Sequence, residues 1–110
     1  MEKIFEQALL YDFYGELLND HQKSIYEEYV LDNLSLSEIA ESRGISRQGV
    51  HDLIKRADKT LNEYESKLQL IKKFLSIKSK VNDINELSRQ ISDERALKII
   101  SITDEILDEL

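Results

Sequence analysis

Arg47, Gln48, His51, Asp52 and Lys55 recur at spacings that bring them to one side of a helix, and they are residue types that read nucleic-acid bases. Arg47 suits bidentate contact with guanine and Gln48 with adenine, while Asp52 can accept from cytosine or steer Arg56. Lys55 and Arg56 can meet phosphates, as can backbone N–H groups at Ser35 and Ser46, and Arg43 and Lys59 complete the candidate set. Bond-making chemistry has less to work with. His21 and His51 are the two near-neutral bases, and no nucleophile is spaced to meet either. Acidic pairs such as Glu27 with Glu28, Glu63 with Glu65 and Asp104 with Glu105 read as solvated helix faces. Neither an enzyme nor a cofactor is expected. Two distant histidines and scattered carboxylates lack metal-ligand spacing, and without cysteine there is no thiolate site or disulfide.

The elements that must position these residues are all helical. The chain has no proline and three glycines among its 110 residues, which favours an all-α fold of one domain's size. In the first helix the expected inward face is Ile4, Phe5, Ala8, Leu9, Phe13, Leu17 and Leu18. Asn19 with Gln22 reads as a capping box for a second helix that carries Ile25, Tyr26, Tyr29 and Val30 inward. Ser35 with Glu38 repeats the box. Leu36, Ile39 and Ala40 then turn inward, Gly44 closes the helix, and Ile45 is expected in the core. Ser46 caps a long helix whose inward stripe is Val50, Leu53, Ile54, Ala57, Leu61 and Tyr64. Apolar positions continue through Leu68, Ile71, Phe74, Ile77, Val81, Ile84 and Ile91 as an interrupted heptad seam, which either folds back on the first helix or pairs with a second chain. Ser92 is the expected cap of a last helix with Ala96, Ile99, Ile100, Thr103, Ile106, Leu107 and Leu110 on one side. Tyr11, Phe13, Tyr14, Tyr26 and Tyr29 read as core aromatics with their hydroxyls at the rim.

The formal net charge is -7, yet it is unevenly spread: residues 1–42 carry -8, residues 43–80 carry +6 and residues 81–110 carry -5. A cationic middle can still attract phosphates, because charges beyond about 8 Å are largely screened at physiological salt. Lysines 67, 72, 73, 78 and 80, with no acid between them, either follow phosphates by shape or form a solvated face. Residues 1–14 place Glu2, Glu6 and Asp12 where a signal peptide needs an apolar run, so a cytoplasmic chain that avoids membranes is expected.

Residues 34–61 have the parts of a helix-turn-helix: a short helix, a turn at Gly44, and a second helix held down by Val50 and Leu53. The same geometry also serves as plain packing. The stretch LLNDHQKSIYEEYVLDNLSLSEIAESRGISRQGVHDLIKRADKTL resembles region four of bacterial sigma factors. With LLYDFYGELL before it and YESKLQLIKKF after it, the chain is more similar to the YlxM-type helix-turn-helix proteins. That resemblance implies a sigma-like helix-turn-helix with an N-terminal helix and a long C-terminal helical extension. It also implies dimers and a regulatory or accessory role in the signal recognition particle pathway. Sigma factors crowd this reading helix with arginines, whereas Arg47, Gln48, Gly49, His51 and Asp52 stand in its first two turns here, which argues against promoter reading.

The sequence therefore points to a helix-turn-helix domain over residues 1–64 and a helical extension over 65–110 for dimerisation or packing. The expected function is a homodimeric regulatory or accessory protein that binds DNA or structured RNA. The alternative is a module that contacts the signal recognition particle GTPase or the transcription machinery and binds no nucleic acid.

Overall fold

The computed structural model describes residues 3–110, all helices and connections with no strand among them. Helix α1 spans Lys3–Tyr14 and runs into a 3-10 turn at Gly15–Leu17; α2 is Asp20–Val30, α3 is Leu36–Arg43, α4 is Arg47–Leu68, α5 is Leu70–Arg89 and α6 is Glu94–Glu109. The chain divides into two compact units, Met1–Gln69 and Leu70–Leu110. The long helix thus runs past Tyr64 to Leu68, and the seam expected from Leu61 to Ile91 is broken at Gln69, which ends α4 in the left-handed conformation with φ 55°.

In the first unit α4 packs against α1, α2 and α3. Its inward stripe is Val50, Ile54, Ala57 and Leu61, which meets Ile25, Tyr26 and Ile39, all shut from solvent. The periodicity expected for α4 holds, although Leu53 is only half-buried. In α1 the register differs from the apolar pattern. Gln7, Leu10 and Tyr14 face inward, while Phe5 is 62% exposed.

The reason is a set of carboxylates turned into the unit. Gln7 Nε2 donates to both oxygens of Asp58 at 3.1 and 3.0 Å, and the Tyr26 hydroxyl donates to Asp58 Oδ1 at 2.6 Å. Tyr14 donates to Glu65 at 2.5 Å, Tyr11 donates to Glu27, and the rings of Tyr11 and Tyr26 stack with centroids 5.8 Å apart. A polar group leaves water cheaply only when a partner replaces its hydration. Among the described residues no buried side-chain nitrogen or oxygen lacks one. Inward polar residues with partners therefore outrank apolar ones without room, and they set the roll of α1. Tyr14 and Tyr26 are buried with their hydroxyls, whereas Tyr11 and Tyr29 are half-buried.

The second unit is an antiparallel hairpin of α5 and α6 with Val81 and Ala96 buried between them. Across it lies a polar layer. Asn85 Nδ2 donates to Thr103 Oγ1 at 2.7 Å and to Asp104 Oδ1 at 3.0 Å, and Arg89 Nε donates to Asn85 Oδ1 at 2.8 Å. Asp93, not Ser92, caps α6, its carboxylate accepting from Arg95 N at 2.7 Å. Asn19 likewise accepts from Gln22 N at 2.8 Å, which is one half of the expected box.

Burial, then the neighbouring Asp58 carboxylate, pushes the Tyr26 hydroxyl well above the ordinary tyrosine range, and burial with Glu27 does the same for Tyr11. These protonated hydroxyls contribute their full stability below about pH 10, where a tyrosine of the unfolded chain titrates, and lose it as pH climbs toward the raised values. Urea unfolding followed by circular dichroism will show stability falling steeply above about pH 10. Tyr26→Phe will cost about 1–3 kcal/mol at neutral pH and flatten that fall.

Candidate nucleic-acid interface

Helix α3 is made by its ends. Ser35 Oγ accepts from Glu38 N at 3.0 Å and Ser35 N donates to Glu38 Oε1 at 3.0 Å, a reciprocal cap at the N-terminus. At the C-terminus Gly44 takes φ 68°, and its N–H and that of Ile45 both donate to Ala40 O. A Cβ at Gly44 would meet nothing within 4 Å, so the backbone angle and not crowding requires glycine there. Ile45 comes out of this turn 38% exposed, contrary to its expected place in the core, because the chain must reach Ser46 at once to start the next helix. Ser46 Oγ accepts from Gly49 N at 2.9 Å. A Cβ on Gly49 would lie 3.0 Å from that hydroxyl, so the close approach that explains this glycine is the helix's own cap.

With Val50, Ile54, Ala57 and Leu61 held inward, the helical period settles the rest of α4. Arg47, Gln48, His51, Lys55, Arg56 and Lys59 are exposed and Asp52 is half-buried. They form two rows at steps of four residues. One row is Arg47, His51, Lys55 and Lys59; the other is Gln48, Asp52 and Arg56. Gln48 Nε2 donates to Asp52 Oδ1 at 2.9 Å, and His51 Nδ1 lies 3.4 Å from the same oxygen. The Gln48 hydrogen bond, followed by His51, holds the Asp52 carboxyl below the usual carboxylate range.

Two candidates are placed otherwise. Arg43 donates from Nε and Nη2 to the two oxygens of Glu28 at 3.1 and 3.0 Å and also to Ser24 Oγ, so its guanidinium ties α3 to α2. Its Nε and Nη2 groups are taken by Glu28 and Ser24, which holds the guanidinium against α2. The Ser35 N–H is spent on Glu38, so it is not offered to a phosphate. The lysines divide at Gln69: Lys67 lies in the last turn of α4, and the other four are exposed on α5, where Lys78 Nζ stands 5.8 Å from the Phe74 ring centre. Sequence reasoning missed Asp58, whose place between Ile54 and Leu61 in the inward stripe was the available signal, and Gln7, three residues before Leu10.

Among the described residues no group of three or more His, Asp or Glu could hold a metal ion, and no helix is long and apolar enough to cross a membrane. The arrangement is a short capped helix, a tight turn and a long helix that presents cations outward, which are the parts of a helix-turn-helix.

Comparison with known proteins agrees with that geometry. A family profile described as "Putative helix-turn-helix protein, YlxM / p13 like" matches residues 1–103. A relative from Thermoanaerobacter sp. (strain X514) is 46% identical over 104 residues, covering 94% of this chain and 89% of the relative. The YlxM protein of Bacillus subtilis (strain 168) is 42% identical over 108 residues, 98% of either chain, and a protein of Acetivibrio thermocellus is 40% identical over 114 residues, covering 100% of this chain and 97% of its own.

Arg43 and Arg47 will behave differently when truncated. Arg43→Ala, which strands Glu28, will lower stability by about 1–3 kcal/mol in urea unfolding, whereas the exposed Arg47→Ala will stay within about 0.5 kcal/mol of the parent.

Proposed function

Because this chain belongs to the YlxM / p13-like helix-turn-helix family, we propose that it is a nucleic-acid-binding protein of regulatory or accessory role that contacts DNA or structured RNA through the outward rows of α4. The observation that carries this reading is the exposure of Arg47, His51, Lys55 and Lys59 in one row while the acids Asp58 and Glu65 of the same helix are turned to tyrosines. A locally cationic surface on an acidic chain supports binding that is strongly salt-dependent. In this reading the protein acts in the cytoplasm, and its place in the signal recognition particle pathway rests on family resemblance.

The second unit supports self-association. Ile77, Ile84 and Leu87 of α5 and Ile99 and Ile102 of α6 are exposed, with Leu87 at 62% and Ile102 at 55%, as are Ile91 and Leu110 just past the ends of the two helices. Both stripes lie about a quarter turn from the side facing the partner helix, in the same rotational sense, so an antiparallel pair brings them to one face. Helix α5 carries five cations against two anions, and α6 carries two against five. A second copy turned by a two-fold axis lays α5 over α6 with apolar faces together and charges opposed. A unit this near the roughly 40-residue limit for independent stability gains most from such a partner.

Fluorescence anisotropy with duplex DNA and with structured RNA tests the first part. Binding will weaken steeply with added salt, and Arg47→Ala and Lys55→Ala will each weaken it and reduce the log–log salt slope by about 1. Binding confined to a protein partner and indifferent to both substitutions would favour the interaction-module reading. Sedimentation equilibrium tests the second part: the parent chain will be a dimer, and Leu87→Glu with Ile102→Glu will be monomeric at unchanged helicity.

A further inference from the structure

We infer that Asp52 sets the base preference of the α4 ridge by exclusion, its carboxylate admitting the amino group of cytosine in the major groove of duplex DNA and turning away phosphates and acceptor-bearing base edges. This inference rests on the nucleic-acid reading above.

Two acids lie between Arg47 and Lys59, and the structure treats them in opposite ways. Asp58 is turned inward and satisfied by Gln7 and Tyr26. Asp52 is left on the outward side, one turn after Gln48 and one turn before Arg56, with cations of the neighbouring row around it. A carboxylate there has a cost in any complex dominated by phosphate contacts, since like charges at groove distances repel. A residue whose only role were to help the ridge bind nucleic acid of any sequence would not be an acid. The cost is recovered where the groove offers a donor and no acceptor at that point. Guanine presents N7 and O6, thymine presents O4 and adenine sets N7 beside its amino group, whereas cytosine presents its N4 amino group alone.

Gln48 sharpens the same choice. One N–H of its amide is committed to Asp52 at 2.9 Å, which holds the carboxylate in place and leaves the amide one N–H and its oxygen. Gln48 is thus a positioning residue for Asp52. The depth and narrowness of the major groove in A-form RNA keep a helix out, so this mode of reading belongs to duplex DNA.

The test uses the full-length protein and a random-sequence duplex DNA pool, with anisotropy for affinity and sequencing of the bound fraction for preference. The parent will enrich sites with a fixed cytosine. Asp52→Asn, which removes the charge and offers a donor, will bind the unselected pool about fivefold tighter at low salt and lose that preference. Asp52→Glu, which keeps the charge, will stay as weak on the unselected pool as the parent, and thermal melting will confirm that both variants are folded. If the parent and Asp52→Asn enrich the same sites with the same affinity, or if the parent shows no preference for cytosine, the inference is overturned and the proposed function stands. If the parent binds no duplex DNA at any salt, the inference falls whatever RNA does, and the proposed function falls with it only when structured RNA also fails to bind.

Discussion

Asp58 sits midway along α4 with its carboxylate filled by Gln7 of α1 and Tyr26 of α2. A half-buried carboxylate loses part of its hydration and needs hydrogen bonds in its place, so rotating α4 by one residue, which would drag Asp58 from its partners, is disfavoured. The Tyr14 to Glu65 bond repeats the constraint two turns further on. Together they fix the roll of α4, and with it which of its side chains look outward. The outward rows are therefore determined by groups that face the other way.

The same arrangement explains how an acidic chain keeps a cationic surface. The acids Asp58, Glu65, Glu27 and Glu28 are engaged with Tyr26, Tyr14, Tyr11 and Arg43. Their charge remains, but it is drawn toward the packed side of the first unit, and screening over about 8 Å leaves the outward side to Arg47, Lys55, Arg56 and Lys59. Net charge describes solubility and long-range repulsion. It says little about one helix face.

Where sequence and structure agree, the pattern was local. The reciprocal Ser35 and Glu38 cap, the left-handed Gly44, the Ser46 cap and the stripe of Val50, Ile54, Ala57 and Leu61 all depend on residues within a few positions of one another. Where they differ, a distant partner decided. Gln7 and Tyr14 displaced Phe5 from the inward face of α1 because Asp58 and Glu65, far along the chain, needed donors. Nothing in the local pattern around Arg43 announces that Glu28 and Ser24 lie beside it. The break at Gln69 had no glycine to mark it, since a glutamine occupies the left-handed position at a cost of roughly 1 kcal/mol or more. The outward residues of α4 were legible by subtraction, once its inward stripe was known.

The central claim is that the outward rows of α4, held in place by the half-buried carboxylates Asp58 and Glu65, are the surface that meets nucleic acid. Backbone amide chemical shifts of the labelled protein, recorded by NMR during titration with a duplex DNA, test it most directly. The account predicts shifts concentrated in the amides from Arg47 to Lys59 and in the turn at Gly44, with the α5 and α6 hairpin little changed. Shifts confined to the hairpin or to the acidic face of α2, with α4 silent, would contradict it.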